Sequence, residues 1–199
     1  IRSGNGSIVE QGQTMTVQQN SNRMAIDWTQ FNIAKNETVR YTQPDKNAVA
    51  LNRVTGGQQS LIEGNLNANG HVFLVNPNGV VFGKNASVDV GGLVASTARL
   101  ADDTMNHFGS SQDSLNLAVD NENNAAVINE GIIKAQGGLV ALHASNVENS
   151  GTITDDGGTV ALTAAKNLNL SSDADGKLNF TVDGTLARAQ SLNSGTLKA

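Results

Sequence analysis

The sequence predicts an all-β fold wound as a parallel β-helix, and three observations point to it. Residues 129–148 (NEGIIKAQGGLVALHASNVE) recur almost position for position in residues 149–168 (NSGTITDDGGTVALTAAKNL), at an offset of twenty. Within each copy the apolar residues alternate with a period of two, which is a strand pattern, and not 3.6. Composition agrees: 21 Gly against 2 Pro, with 38% hydrophobic and 4% aromatic residues among 199, suits short strands joined by tight corners.

The repeat justifies the central element. Asn129/Asn149, Gly131/Gly151, Ile133/Ile153, Gly137/Gly157, Gly138/Gly158, Val140/Val160, Ala141/Ala161, Leu142/Leu162 and Ala144/Ala164 are identical pairs. About twenty residues accommodate three short strands and three corners, one coil of a β-helix, so Val140 is expected over Val160 and Leu142 over Leu162. Each such burial contributes on the order of 1.5–3 kcal/mol. Ala141, His143 and Ser145 then point outward, and His143 is expected at the surface. A partial copy starts at Asn85, with Val88 and Val90 before Gly91-Gly92, and a degenerate echo runs over residues 65–75. If every residue wound into coils there would be about nine or ten, roughly 45 Å tall. Asn129 and Asn149 are either ordinary turn residues or a ladder in which each amide bonds its equivalent one coil away.

Taken in order, residues 1–35 are expected to be an N-terminal β cap, residues 36–128 early coils with extra-helical loops, residues 129–168 regular coils and residues 169–199 further coils, all in a single domain. In the cap, Met15 and Val17 alternate, as do Ile26-Trp28 and Phe31-Ile33 with a slip at Thr29-Gln30 that reads as a bulge or bend. The single Trp there plugs the end of the core or stacks on a ligand. Residues 58–69 and 101–124 are polar and poorly periodic, read as loops or an extra-helical hairpin, with Asp102-Asp103 a solvated turn.

Chemistry is sparse. A net charge of −5 with dispersed Lys and Arg argues against nucleic acid, and the absence of Cys removes disulfides, thiolate metal sites and cysteine nucleophiles. No run approaches the roughly 20 apolar residues of a membrane-spanning helix. The chain starts at Ile1 without a basic or apolar leader, as expected of an excised piece. His71, His107 and His143 show no metal-ligand spacing, and Gly79 to Asn85 (GVVFGKN) lacks the length and the hydroxyl of a phosphate loop. Asp173-Ala174-Asp175-Gly176 resembles the start of a calcium loop without its distal Glu, and Asp155-Asp156 sits at a corner. Sequons begin at Asn5, Asn36, Asn85, Asn169 and Asn179. A β-helix enzyme acting on polysaccharide needs ionisable residues clustered on adjacent coils, and the aligned pairs Ala141/Ala161, His143/Thr163 and Ser145/Ala165 form no such cluster. No catalytic residue, cofactor or metal is expected, and the chain reads as no enzyme.

One segment carries more. Residues 71–82 read HVFLVNPNGVVF, two apolar runs around Asn76-Pro77-Asn78-Gly79. As a turn it has a mechanism: Asn accepts a backbone N–H, Pro presets φ, the second Asn tolerates the third position and Gly fits the fourth. In the order GNLNANGHVFLVNPNGVVFGKNASVDVGGLVAST, preceded by IDWTQFNIAKNETVRYTQPDKNAVALNRVTG, it closely resembles the N-terminal secretion domain of two-partner secretion exoproteins, the filamentous haemagglutinin family. The likeness is strong over residues 7–99, and the high-molecular-weight adhesin and haem-acquisition branches look nearer than the haemolysin branch.

The resemblance implies a right-handed, single-stranded β-helix that serves as secretion signal and folding nucleus. It implies a partner, the POTRA domains of a dedicated outer-membrane TpsB-type transporter, and a location that is secreted or cell-surface after passage through the periplasm. Asn76, Pro77, Asn78 and Gly79 match the family's NPNG motif, whose role is transporter recognition or a structural turn; the family's second motif, NPNL, has no counterpart. A monomer is expected, with any host-surface contact made by a downstream region. The competing readings are an adhesive module that itself binds host or carbohydrate ligands and a polysaccharide-acting enzyme.

Overall fold

The computed structural model describes residues 1–199 except Gln112, Asp113, Asn121, Asn123 and Ala174. The chain is a right-handed β-solenoid of about six turns. It starts with an antiparallel hairpin, β1 (Gly6–Gln11) on β2 (Thr14–Gln19), in which Ile8 faces Val17. From β2 onward the stack is parallel. The first rung runs from β2 through β3 (Arg23–Trp28), past a bend at Thr29, to Ile33, which bridges Ile62. The second holds β4 (Thr38–Thr42), β5 (Val49–Val54) and β6 (Ser60–Ile62), and the third β7 (Asn65–Ala68), β8 (His71–Val75) and β9 (Val80–Phe82).

The fourth rung begins with β10 (Ser87–Val90) and β11 (Gly92–Ser96). Here the chain leaves the stack through helix α1 (Asp102–His107) and β12 (Leu115–Ala118), re-entering at β13 (Ala126–Asn129). The fifth rung, β14 (Ile132–Ala135), β15 (Leu139–His143) and β16 (Asn146–Asn149), is uninterrupted. The sixth, β17 (Thr152–Asp155) and β18 (Thr159–Thr163), again departs through β19 (Asn167–Ser172) and β20 (Leu178–Asp183), then closes with β21 (Gln190–Asn193); β22 (Thr196–Lys198) starts another turn.

The register follows the repeat. Val140 pairs with Val160, Leu142 with Leu162, Ile133 with Ile153 and Asn129 with Asn149. The partial copy falls into place too: Val88 pairs with Ile133 and Leu93 with Val140, while Leu66 of the degenerate echo pairs with Val88. Stacking buries columns such as Met24–Ala50–Val72–Leu93–Val140 on the inside. A single coil would leave such a strip wet; the stack is what hides it.

Several expectations need correction. There are about six rungs, fewer than the nine or ten that would arise if every residue wound into coils, because two long excursions leave the stack between the second and third sheets. Residues 58–69 are not a loop: short polar-faced strands β6 and β7 lie there, alternating too briefly to stand out. Residues 101–124 hold α1 and β12, so Asp102 and Asp103 open a helix, where acidic side chains favour the N-terminal dipole. Residues 169–199 are only partly coils, since β12, β19 and β20 form an antiparallel sheet outside the solenoid, with Leu115 opposite Leu170 and Leu117 opposite Leu168.

That sheet and α1 create a second core. Ala25, Leu51, Phe73, Val94 and Ala141 form a column on the outer face of the β3–β5–β8–β11–β15–β18 sheet, covered by Met105, Phe108, Leu117, Leu168 and Leu170. His143 is therefore fully buried, contrary to the surface position expected from alternation. Its direction was right and its environment was not, because another layer lies above it.

Candidate functional site

The Asn76-Pro77-Asn78-Gly79 corner joins β8 to β9 in the third rung. Its turn chemistry is as the sequence suggests: Asn78 N–H donates to Asn76 Oδ1 at 3.0 Å, and Gly79 N–H to Asn76 O at 3.0 Å. Gly79 has φ +112°, where side chains are strained, and a Cβ there would meet Ala126 O at 3.1 Å.

Beyond its own turn, the corner is tied to its neighbours. Asn76 is fully buried, and its Nδ2 donates to Gln58 O and Ser60 Oγ, each at 3.0 Å, in the rung before. Asn76 N–H donates to Ser96 O in the rung after. Asn78 is exposed and reaches Gly56 O at 2.8 Å. The four residues thus divide: Asn76 and Gly79 face inward and lock adjacent rungs, whereas Asn78 and part of Pro77 meet solvent. A polar groove of about 650 Å³ runs alongside, between Gln58, Gln59 and Asn78 on the stack and Arg99, Asp120 and Glu122 on the first excursion.

Other corners carry similar polar seams. Asn129 Nδ2 donates to Asn149 Oδ1 and Asn149 Nδ2 to Asn193 Oδ1, each at 2.7 Å, so these residues are a ladder and not merely turn formers. The same column is Ile33, Ile62 and Phe82 in the earlier rungs. Gln43 Nε2 donates to Gln19 Oε1, Ala48 O and His71 O at the opposite corner. Asp155, fully buried, accepts from the N–H groups of Gly137, Gly138 and Thr159, a structural assignment for one of the two acids read at that corner. Inside the core, Asn52 Oδ1 accepts from Trp28 Nε1 at 2.9 Å and Tyr41 Oη at 2.7 Å. Burial pushes the Tyr41 hydroxyl pKa far up, against the smaller lowering effect of Asn52.

At the base of both excursions lies a polar column that sequence reasoning missed. Asp27, Arg53, Val75, Ser96, His143 and Thr163 are successive cross-rung partners. Arg53 forks onto Asp27 at 2.8 Å through Nε and Nη2, and also binds Leu100 O and Asp102. The Asp27 hydrogen bond chiefly raises the Arg53 pKa, and the Arg53 hydrogen bond holds the Asp102 carboxyl below its usual range. His143 Nε2 donates to Ala165 O at 3.0 Å, which leaves Nδ1 to accept from Ser96 Oγ at 2.9 Å. Ser96 Oγ in turn accepts from Ala98 N–H. Burial lowers the His143 pKa to about 4, against the raising effect of Ala165 O. His71 is likewise lowered to about 4 by burial, partly opposed by Asp45, and its Nδ1 has no hydrogen-bond partner. A signal for this cover was present: β8, β11 and β15 are buried at every position, and HVFLV is apolar at nearly every one, the pattern of a strand covered on both faces.

The histidines are dispersed, His107 lying exposed on α1 beside Asp103. Among the described residues no group of three or more His, Asp or Glu is placed to hold a metal ion. The calcium-loop resemblance includes Ala174, which lies outside the described residues; Asp173 Oδ1 accepts from the N–H groups of Asp175 and Lys177. No helix among the described residues is long and apolar enough to cross a membrane.

Comparison with known proteins converges on one family. The TPS secretion domain profile matches residues 2–198. A heme/hemopexin-binding protein of Haemophilus influenzae strain Rd is 46% identical over 97 residues, which are 49% of this chain and 11% of that protein. A second H. influenzae heme/hemopexin-binding protein is 48% identical over 86 residues, 43% of this chain and 9% of that protein. The chain thus spans about a tenth of the curated relatives it matches. The crystal structure of the HMW1 secretion domain from H. influenzae superposes with a TM-score of 0.83 at 29% identity, covering 98% of this chain and 50% of that one.

Proposed function

The chain belongs to the TPS secretion domain family, the export domain of two-partner secretion exoproteins, which are secreted by way of the periplasm, and from that premise we propose that it is no enzyme but the signal by which its exoprotein is handed to a TpsB-type transporter and the nucleus on which the rest then folds. Recognition is by the transporter's periplasmic POTRA domains, which take an extended segment along a strand edge or groove. The Asn76 to Gly79 corner contributes mainly by holding the third rung in register, with exposed Asn78 the part free to touch a partner.

The observation that carries this reading is the inward placement of Asn76, whose carboxamide spans two rungs while the turn's tip remains outside. The in-register parallel pairing of successive rungs supports the folding half of the proposal, since each rung offers the next a parallel edge. Coil added to coil outside the cell gains burial energy at each step, which favours outward movement without ATP. The final location is then the cell surface or medium, and the domain itself works as a monomer.

Adhesion or haem acquisition belongs, in this proposal, to the parent exoprotein beyond this domain, in keeping with relatives named for heme and hemopexin binding. The decisive experiment measures binding of this domain, unfolded and folded, to the periplasmic domains of the transporter encoded with it. Binding of the unfolded or partly folded chain, and blocked release of exoprotein by Gly79→Val with synthesis intact, are expected. Failure of both forms to bind would sink the recognition role.

A further inference from the structure

One exposed strand carries side chains that the folded domain does not use. Strand β1 ends its sheet, paired with β2 on one side and with no strand on the other. Five of its six residues are exposed, and neither Ile8 nor Val9 belongs to either apolar core. Among the exposed large apolar side chains of the described residues, these two alone are neighbours in sequence. Successive residues of a strand face opposite ways, so the pair puts an apolar side chain on each face of β1. The strand contains no lysine, arginine, proline or bulge, the devices that keep a bare edge from pairing.

The same strand is independent of the stack. Its ladder with β2 runs from Gln11 opposite Thr14 to Gly6 opposite Gln19, closed by Gly12-Gln13 with Gly12 at φ +59°. The parallel ladders of the solenoid join residues twenty or more apart, and each needs a preceding rung. A second local hairpin, β19 on β20, is already spent: β19 also pairs with β12, and Leu178 and Phe180 pack against the second core. Bonded and unbonded pairs alternate along an antiparallel ladder, and Asn20 N–H donates to Asn5 O, which places Ser7, Val9 and Gln11 among the residues bonded to β2. Gly6, Ile8 and Glu10 therefore turn their N–H and C=O groups outward. A lone hairpin of this kind is marginal in water, and a third strand on its bare edge is what stabilises it.

We propose that residues 6–11 are the extended segment along which the transporter's periplasmic domains take hold of the chain, adding a strand to the outer edge of β1 before any rung has stacked. The inference rests on the recognition role proposed above and names the segment. Main-chain bonds to Gly6, Ile8 and Glu10 carry the affinity, and apolar pockets for Ile8 and Val9 select the segment. No coil is required, since the contact uses only a strand and its local partner.

Side chains that the fold does not use can be changed without unfolding the domain. Glu10→Pro deletes one outward N–H at a place where an edge strand tolerates proline, and Val9→Lys puts a charge on an exposed position. Both should keep the circular dichroism spectrum and the urea midpoint of the parent. Binding of the periplasmic domains to the full chain, freshly diluted from urea and after refolding, is measured by biolayer interferometry, while hydrogen exchange read by mass spectrometry locates the bound segment. Each variant is expected to bind about tenfold more weakly, and residues 6–11 of the parent to gain protection in the complex. If the parent binds, and either both variants bind as well as it does or protection appears only elsewhere, the segment assignment is overturned and the recognition role stands. If the parent binds in neither form, both fall. A concentration-dependent dimer of the domain that Val9→Lys abolishes would give the edge to a second copy and overturn the proposal.

Discussion

Replacing Asn76 by Ala separates a structural corner from a contact. The substitution removes two donors, to Gln58 O and Ser60 Oγ, and one acceptor, for Asn78 N–H. Each neutral hydrogen bond is worth about 1 kcal/mol net, and stranding the fully buried Ser60 hydroxyl adds roughly 1 kcal/mol more, so a loss of about 3–4 kcal/mol is expected. Asn78→Ala, at the exposed tip, gives up its bonds to Gly56 O and Asn76 Oδ1 in water and should cost under about 1 kcal/mol. Urea unfolding of the purified domain, followed by circular dichroism at constant m-value, measures both. Secretion of the two variants as full exoproteins is then compared. A structural corner predicts that export follows stability, with Asn76→Ala impaired and Asn78→Ala near normal. Equal stability losses, or an Asn76→Ala domain as stable as the parent yet not exported, would refute the reasoning and make the motif a contact.

Further expectations follow from the seams. Asn149→Ala breaks the ladder in its middle and should destabilise by about 3 kcal/mol, against about 1 kcal/mol for Asn193→Ala at its exposed end, read in the same unfolding assay. His71 and His143 titrate near 4 when folded and near 6.5 when unfolded, so the unfolded chain binds more protons in between. Their contribution is complete above 6.5 and is lost as pH falls towards 4, at up to about 1.4 kcal/mol per pH unit for each. His143→Gln should roughly halve that slope in unfolding curves taken across this window. Arg53→Met leaves Leu100 O without its partner and Asp27 with only its ion pair to Arg2, and should expose α1 to faster hydrogen exchange, with protection of β14 to β17 unchanged.

Legibility in the sequence was uneven, for physical reasons. Val140 over Val160 could be read directly, because stacking equivalent residues is a local rule repeated at a fixed offset. The turn at Asn76 was legible for the same kind of reason, since its chemistry is contained in four residues. His143 was misplaced because alternation tells which face a residue takes and not what covers that face. Leu168 was read as the end of the regular coils and Leu170 as part of further ones, yet they pair antiparallel with Leu117 and Leu115, a contact between distant segments that no period announces. Asp102 read as a solvated turn for want of its remote partner, Arg53. Fixing Trp28 through Asn52 is of the same sort, an interior polar contact between neighbouring rungs with different residue types.

The way the two excursions share one outer sheet has a consequence for a chain whose rungs are added in sequence order, as in the folding role proposed above. Strand β12 is laid down early, on the detour from the fourth rung, but its neighbour β19 arrives only after the sixth rung has begun. Until then Leu115 and Leu117 can dock on the solenoid with their backbone edge still bare. In that order, closure of the outer layer is a late event, because β12 gains its backbone partner β19 only after the fifth rung and two strands of the sixth are in place.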